Sequence, residues 1–463
     1  MADATRGASK RPPTLVIRGG RLIDGTGTKV ADVAVADGKV VAVEEGLAVP
    51  SGATVLDAGG CWVTPGFVDL HAHLRQPGRE EAETVETGTR AAALGGYTAV
   101  VAMPNTEPAI DDAGTAREVL ELGRHALSEV AVAGAVTVGR SGERLAPMGE
   151  LAALGVRLFT DDGAGVQDGG LFRRALDYAR DLGVTLAEHC EDDDLAAGGV
   201  MHEGVWSSRL GLPGTPSAAE EVMAARDIAL VRLTGGRLHL LHLSTAGSAE
   251  LVRRAKAEGL PVTAEVAPHH LALTDELVAG YDPVYRVSPP LRPAADVAAC
   301  CEAVRDGTFD AVATDHAPHP PEAKDVPFAE AAPGMLGLET AFAVAFTELH
   351  GPAEEGWVAD TPGGDRLAPR RFFEVFSWGP AAIAGLGPAD PRPGGQSAQG
   401  GPIQPGAAAN LCVVDPRATW TVDPGRLASR SRNTPYAGRR LSGRVRHTVL
   451  RGEPVVLDGE AQR

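Results

Sequence analysis

Between residues 67 and 315 the sequence switches repeatedly between short β-rich runs and stretches of helical composition. Eight such runs stand out. They are Phe67-Val-Asp-Leu-His, Tyr97-Thr-Ala-Val-Val-Ala-Met, Glu129-Val-Ala-Val-Ala-Gly-Ala-Val, Val156-Arg-Leu-Phe-Thr, Val184-Thr-Leu-Ala-Glu-His, Leu238-His-Leu-Leu-His-Leu, Val262-Thr-Ala-Glu-Val and Ala311-Val-Ala-Thr-Asp. Most are followed by Ala/Leu/Glu/Arg-rich segments that read as helices, among them 81–93, 219–233 and 249–258. Strand–helix alternation calls for a parallel sheet, because each strand must be re-entered from the same end. Eight units of it predict a closed (β/α)8 barrel of TIM type in an α/β fold.

The two ends of the chain have another texture. Leu15-Val-Ile-Arg, Val30-Ala-Asp-Val-Ala-Val, Lys39-Val-Val-Ala-Val and Thr54-Val-Leu-Asp are short strand-like runs divided by glycine turns. The same texture returns in Asn410-Leu-Cys-Val-Val-Asp, Thr419-Trp-Thr-Val and His447-Thr-Val-Leu-Arg-Gly-Glu-Pro-Val-Val. We expect the ends to pair as one small composite β-sandwich beside the barrel. The division is 1–65 and 406–463 for that β-domain, 66–385 for the barrel, and 386–405 for a loop or linker rich in Gly and Pro. Residues 1–10 are polar and expected to be disordered.

In a barrel of this kind, reactive residues belong at the C-terminal ends of the strands. The first run ends in His71, His73 and Arg75, where i, i+2 spacing puts both histidines on one side of a strand. The second leads to Pro104-Asn105, the fourth to Asp161-Asp162-Gly163, the fifth to His189-Cys-Glu-Asp192, the sixth to His242 and the eighth to Asp315-His-Ala-Pro-His319. Singly, each has an ordinary explanation: Asp-Asp-Gly is a turn signal, and a lone histidine is more often part of a core. Six such endings on one rim point to a metal site. Four histidines and at least two carboxylates exceed what one tetrahedral ion needs, so we expect two ions, Zn²⁺ first, bridged by a carboxylate. Such a centre generates hydroxide near neutral pH, which suits hydrolysis of an amide or its reversal.

Composition removes other classes. Lys+Arg is 43 against 61 Asp+Glu, a net charge of −18, with no basic block, which disfavours nucleic-acid and anionic-membrane partners. The start of the chain has no apolar core of a secretion signal, and no run is long enough to span a membrane. Five scattered cysteines without C-x-x-C spacing suit reduced thiols and a cytoplasmic location. Cys190 adjoins His189, but a buried apolar role is the commoner one for such a thiol.

Taken in order, Asp69-Leu-His-Ala-His-Leu-Arg-Gln-Pro-Gly78, Ala102-Met-Pro-Asn-Thr106, Phe159-Thr-Asp-Asp-Gly163, Glu188-His-Cys-Glu-Asp192, His242-Leu-Ser-Thr245, Pro289-Pro-Leu-Arg292 and Ala313-Thr-Asp-His-Ala-Pro-His319 resemble the dihydroorotases of the amidohydrolase superfamily, in their long bacterial form. The likeness spans nearly the whole chain. It implies reversible cyclisation of N-carbamoyl-L-aspartate to L-dihydroorotate plus water in pyrimidine biosynthesis, through a binuclear metal-activated hydroxide. By resemblance, His71, His73 and Asp315 bind one metal and His189 and His242 the other. Asp162 bridges the two, with Asp161 as its rival. Asp315 is the general acid/base. Arg75 is suited to bind the substrate carboxylate bidentately. Asn105, His319 and the backbone at Pro333 and Gly334 assist, and the stretch from His319 to Gly334 is suited to close over the site. The family usually has asparagine where this chain has Ser288, which predicts a modest change in substrate affinity.

Allantoinases and hydantoinases are the nearest alternatives, but they usually supply a bridging lysine and a different residue set after His-x-His. A non-catalytic scaffold for aspartate transcarbamoylase would have lost metal ligands that this chain keeps. Homo-oligomerisation and association with aspartate transcarbamoylase are both compatible with the resemblance.

Overall fold

The protein is described by a computed structural model covering residues 12–351, 366–389 and 398–463. The polar stretch 1–10 and the middle of the Gly/Pro-rich segment lie outside the described residues. Five strands open the chain: β1 (Leu15–Asp24), β2 (Gly27–Ala36), β3 (Lys39–Glu44), β4 (Thr54–Asp57) and β5 (Trp62–Pro65). The glycine break expected after Arg18 is instead a bulge inside one long strand: the β1–β2 register shifts between Ile17 and Gly20. Gly19 takes φ 71°, and a Cβ on Gly20 would stand 2.4 Å from the Val63 side chain, so both positions require glycine.

All eight barrel runs form strands: β6 (Phe67–Ala72), β7 (Tyr97–Ala102), β8 (Glu129–Val132), β9 (Leu158–Phe159), β10 (Thr185–Glu188), then, after a short parallel pair β11 (Met201–His202) and β12 (Gly214–Thr215), β13 (Arg237–Leu240), β14 (Val262–Val266) and β15 (Ala311–Val312). Their apolar character follows from burial on both faces, as β6 and β7 have no exposed residue. β6–β7–β8 and β9–β10–β13–β14–β15 are parallel ladders. Parallel bridges from Gly134 to Phe159 and from Ala72 to His316 join the two ladders into a closed ring. At the second seam the Asp69 carboxylate accepts from Thr314 N (2.8 Å) and Thr314 Oγ1 (2.6 Å), tying the first strand to the end of the last.

The predicted helices are present with shifted ends. The one expected over 81–93 is Val85–Leu94, because Thr84 caps it reciprocally with Thr87 and Glu83 turns inward instead. Helix Ser217–Thr234 ends where Gly235 takes φ 70°. None of the described helices is long and apolar enough to cross a membrane.

The last strands are β16 (Leu411–Thr421), β17 (Arg440–Leu450), β18 (Glu453–Leu457) and β19 (Glu460–Ala461). β16 pairs antiparallel with β5, so the two chain ends form one nine-stranded sheet with its own apolar cluster around Ile17, Val33, Val63 and Val413. An aromatic cluster joins this sheet to the barrel: the Trp62 ring is 5.7 Å from Phe373, and Phe67 is 5.6 Å from Phe342.

Candidate metal centre

The strand ends deliver their side chains to one place. His71 lies within β6, and His73 follows it with i, i+2 spacing. His189 follows β10, His242 follows β13, Asp162 follows β9, and Asp315 follows β15. All six are buried. Backbone strain gathers here too. Arg75, His242 and Asp315 adopt φ of 61°, 30° and 44°, a region that costs a side chain-bearing residue about 1–3 kcal/mol and persists only where surroundings enforce it.

Asp162 is central. Its Oδ1 lies 3.3 Å from His71 Nε2, 3.5 Å from His242 Nε2 and 3.7 Å from His189 Nδ1, while Oδ2 lies 3.6 Å from His73 Nε2. Asp315 Oδ1 is 3.3 Å from His73 Nε2 and 3.7 Å from His71 Nε2. His189 Nδ1 and His242 Nε2 face each other at 3.1 Å. Donors held at about 2.0–2.2 Å around a tetrahedral ion stand roughly 3.3–3.6 Å apart, so these spacings suit atoms gathered around shared cations. His71, Asp162 and His242 form one such group, and His71, His73 and Asp315 another.

The tautomers fit the same use. Glu265 Oε1 is 3.1 Å from His71 Nδ1, and burial, which would raise this carboxyl, is outweighed by hydrogen bonds from His239 and His71 that hold it at about 2. An ionised carboxylate only accepts, so Nδ1 donates to it and Nε2 is the nitrogen turned toward Asp162, where a bound cation would take the place of its proton. That Nε2 is buried without a hydrogen-bond partner, a state that a cation would relieve. His73 Nδ1 likewise meets Asn105 Oδ1 at 2.9 Å, freeing Nε2. Burial raises the Asp162 carboxyl, but the charge of His71 and the imidazoles of His189 and His242 that face it hold it well below the usual range. Asp315 is lowered too, its burial outweighed by His73 and His71. The donor set therefore fits divalent cations.

The adjacent Asp161 faces away. It accepts from Val136 N (2.8 Å), Thr137 N (3.0 Å) and Thr137 Oγ1, and burial raises its pKa despite these bonds. Cys190 also turns from the centre. Its thiol, pushed up by burial, points to Glu188 O at 3.8 Å.

A cavity of about 460 Å³ opens onto the centre, lined among others by Arg75, Asn105, Ser288, His319, Pro333 and Gly334. Arg75 is buried and donates to Pro318 O (3.2 Å). Burial and the charge of Arg79 lower it to about 10, leaving it cationic at neutral pH. His319 Nε2 donates to Pro333 O at 2.8 Å, and burial with the charges of Arg75 and Lys324 lowers it to about 3, so the ring is neutral. Ser288 Oγ is 3.3 Å from Glu191 Oε2, a carboxylate lining the same cavity that the sequence reading left without a role. The stretch from His319 to Gly334 packs over segment 283–286: Lys324 Nζ donates to Pro283 O and Arg286 O (both 3.1 Å), and Gly334 N donates to Arg286 O (2.9 Å).

Sequence reasoning missed Glu265, which also holds His239 Nε2 at 3.0 Å. The signal was a lone charge inside the apolar run Val262-Thr-Ala-Glu-Val. It also missed Asp69 at the barrel seam, and Glu83, whose Oε2 lies 3.2 Å from His316 Nε2.

Residues 60–248 match the family described as Dihydro-orotase-like. The chain is 51% identical over 454 residues to a dihydroorotase of Anaeromyxobacter dehalogenans, covering 97% of this chain and 99% of that one. It is 48% identical to a dihydroorotase of Streptomyces coelicolor and 47% identical to one of Mycobacterium tuberculosis, each over 96% of this chain and 99% of the relative. Among solved structures, the L-hydantoinase (dihydropyrimidinase) of Arthrobacter aurescens superposes with a TM-score of 0.82 at 25% identity, covering 98% of both chains. The dihydropyrimidinase of Brevibacillus agri superposes at 0.80 with 24% identity over 96% of both chains, a likeness of fold.

Proposed function

The chain belongs to the dihydroorotase family, and from that premise we propose which of its residues carry the reaction. The protein is a cyclic amide hydrolase that interconverts N-carbamoyl-L-aspartate and L-dihydroorotate plus water in pyrimidine biosynthesis. Its family is metal-dependent, and we assign two divalent ions, Zn²⁺ first, to the donor set. His71, His73 and Asp315 would hold one, His189 and His242 the other, with Asp162 shared. The carrying observation is Asp162 itself, whose two oxygens face both histidine pairs. Bound there, the ions would polarise the ring amide carbonyl and lower the pKa of water near it.

The chain's own residues supply the rest. Asp315 is ionised and lines the cavity, so in ring opening its carboxylate takes the proton of the attacking water and delivers it to the departing ring nitrogen. In ring closure it gives that proton to the departing oxygen. Arg75, cationic and buried, offers two parallel N–H donors to the substrate carboxylate. Asn105 orients His73 from one side of the cavity. Ser288, His319 and the backbone at Pro333–Gly334 form part of the facing wall, and the stretch 319–334 is suited to limit water entry. Aspartate at position 162, where hydantoinases and allantoinases usually carry lysine, supports dihydroorotate over hydantoin or allantoin. Ultraviolet-monitored ring opening tests the assignment. Dihydroorotate should be turned over, with hydantoin and allantoin, which lack the carboxylate that Arg75 would pair with, slower by about ten-thousandfold, the discrimination that an unpaired buried polar group imposes. Turnover of hydantoin or allantoin without dihydroorotate would refute it.

A further inference from the structure

The two ends of the cavity-lining stretch are held by a residue that arrives from the far end of the chain. Asn433 lies in segment 428–433, between β16 and β17, and is 8% exposed. Its Oδ1 accepts from His319 N (3.1 Å). Its Nδ2 donates to Ala317 O (2.9 Å) and Gly334 O (3.2 Å), and its backbone oxygen accepts from Leu336 N (3.1 Å). The carboxamide thus ties Ala317 and His319 to Gly334, and the backbone oxygen adds Leu336, joining the two edges from which His319 and Gly334 face the cavity. The pattern requires one acceptor and two donors in a plane, which asparagine has and aspartate lacks. The approach is close: a Cβ on Gly334 would stand 2.6 Å from Ala317 Cβ and 2.9 Å from His319 Nε2. Segment 428–433 is itself anchored away from the cavity. Arg430 N donates to Glu83 Oε1 (2.9 Å), Ser429 Oγ donates to Glu83, and Ser431 Oγ donates to Ala82 O (2.7 Å).

We propose that Asn433 is a positioning residue for substrate binding: it fixes His319 and Gly334 in the cavity wall through its carboxamide. This rests on the reading that these residues meet substrate. Asn433 touches neither the metal ligands nor Asp315, so its effect falls on affinity and not on the chemical step.

Three variants of the metal-loaded enzyme test this, with kcat, KM for dihydroorotate, melting temperature and amide hydrogen exchange measured on each. Asn433→Asp keeps the shape and the acceptor but loses both donors. It should raise KM about tenfold, the weight of a hydrogen-bonded contact, with kcat within about threefold. The Ala317 and Gly334 amides, bonded to Met335 O (2.8 Å) and Arg286 O (2.9 Å) within the two edges that the lost donors release, should exchange about ten times faster. Asn433→Ala should do the same or more, and if it fails to fold the aspartate variant still decides. Ser431→Ala removes an anchor of the same segment that does not touch the cavity. It should lower the melting temperature and leave KM within about twofold. Wild-type KM and exchange in Asn433→Asp would overturn the proposal, as would an equal rise of KM in Ser431→Ala. His319→Ala separates the two layers. If it leaves KM unchanged, the substrate reading fails and the proposal with it; if it raises KM while Asn433→Asp does nothing, the proposal alone falls.

Discussion

Two sets of carboxylates, buried or half-buried, lie close together in this protein and behave in opposite ways. At the metal rim, Asp162, Asp315 and Glu265 face imidazoles and are lowered below the usual range despite burial. In the surrounding scaffold, Asp69, Asp161 and Glu339 hydrogen-bond to amide N–H groups and hydroxyls instead of imidazoles. Burial wins there, raising Asp161 and bringing Asp69 and Glu339 to about 7. Asp161 and Asp162 are neighbours in the chain and fall in different sets. The difference teaches that burial alone does not mark a functional carboxylate. What marks it is a ring of partners that keeps it charged without saturating its lone pairs.

The strongest way to break the comparison is to mutate the adjacent pair. Asp162→Ala should strip metal and lower turnover by at least about a thousandfold, because it removes the ligand we assign to both ions. Asp161→Asn should keep metal content and turnover within a few-fold and lower stability by about 1 kcal/mol, as one acceptor pattern is degraded. If the two outcomes were exchanged, the rim assignment would be wrong. Glu265→Gln comes next. It removes the charge that fixes His71, so metal affinity measured by chelator competition should fall about 10–100-fold with the fold intact.

Glu339 sharpens the scaffold side through pH. Its Oε1 accepts from Ala428 N (2.8 Å) and Ser429 N (3.3 Å), bonds that a glutamine oxygen can keep. The folded carboxyl titrates at about 7, above its unfolded value of 4.5. Its favourable contribution is therefore full below 4.5 and lost as pH rises through 7. Glu339→Gln should match wild type at pH 4.5 and be more stable at pH 8, by up to about 1–3 kcal/mol in urea unfolding. Equal stability at both pH values would place Glu339 outside the scaffold set. The smallest effect belongs to Ser288→Asn, which alters the Glu191 contact and should shift KM by about two- to fivefold with kcat unchanged.

The barrel was legible because its strands are buried on both faces and so read as apolar runs, and because histidines at i, i+2 or just past a run stand out against them. Rim positions of His71, His73, His189, His242 and Asp315 followed from that alone. The choice between Asp161 and Asp162 did not, since it depends on which way the chain bends after β9, where Val136 and Thr137 capture the first of the two. Glu265 was hidden because its partner His71 lies 194 positions away. Asn433 was hidden for the same reason: its contacts bring the last segment onto the rim, and nothing local in Ser431-Arg-Asn-Thr434 announces it. The long β1 strand escaped because a glycine pair serves a bulge as readily as a turn.

The most direct test of the account is turnover of dihydroorotate measured as Zn²⁺ is titrated into chelator-treated protein, with bound metal counted on the same samples. No turnover is expected at zero metal, and full activity is expected as binding approaches two ions per chain. Full activity in the metal-free protein, or saturation of both binding and activity at one ion, would contradict it.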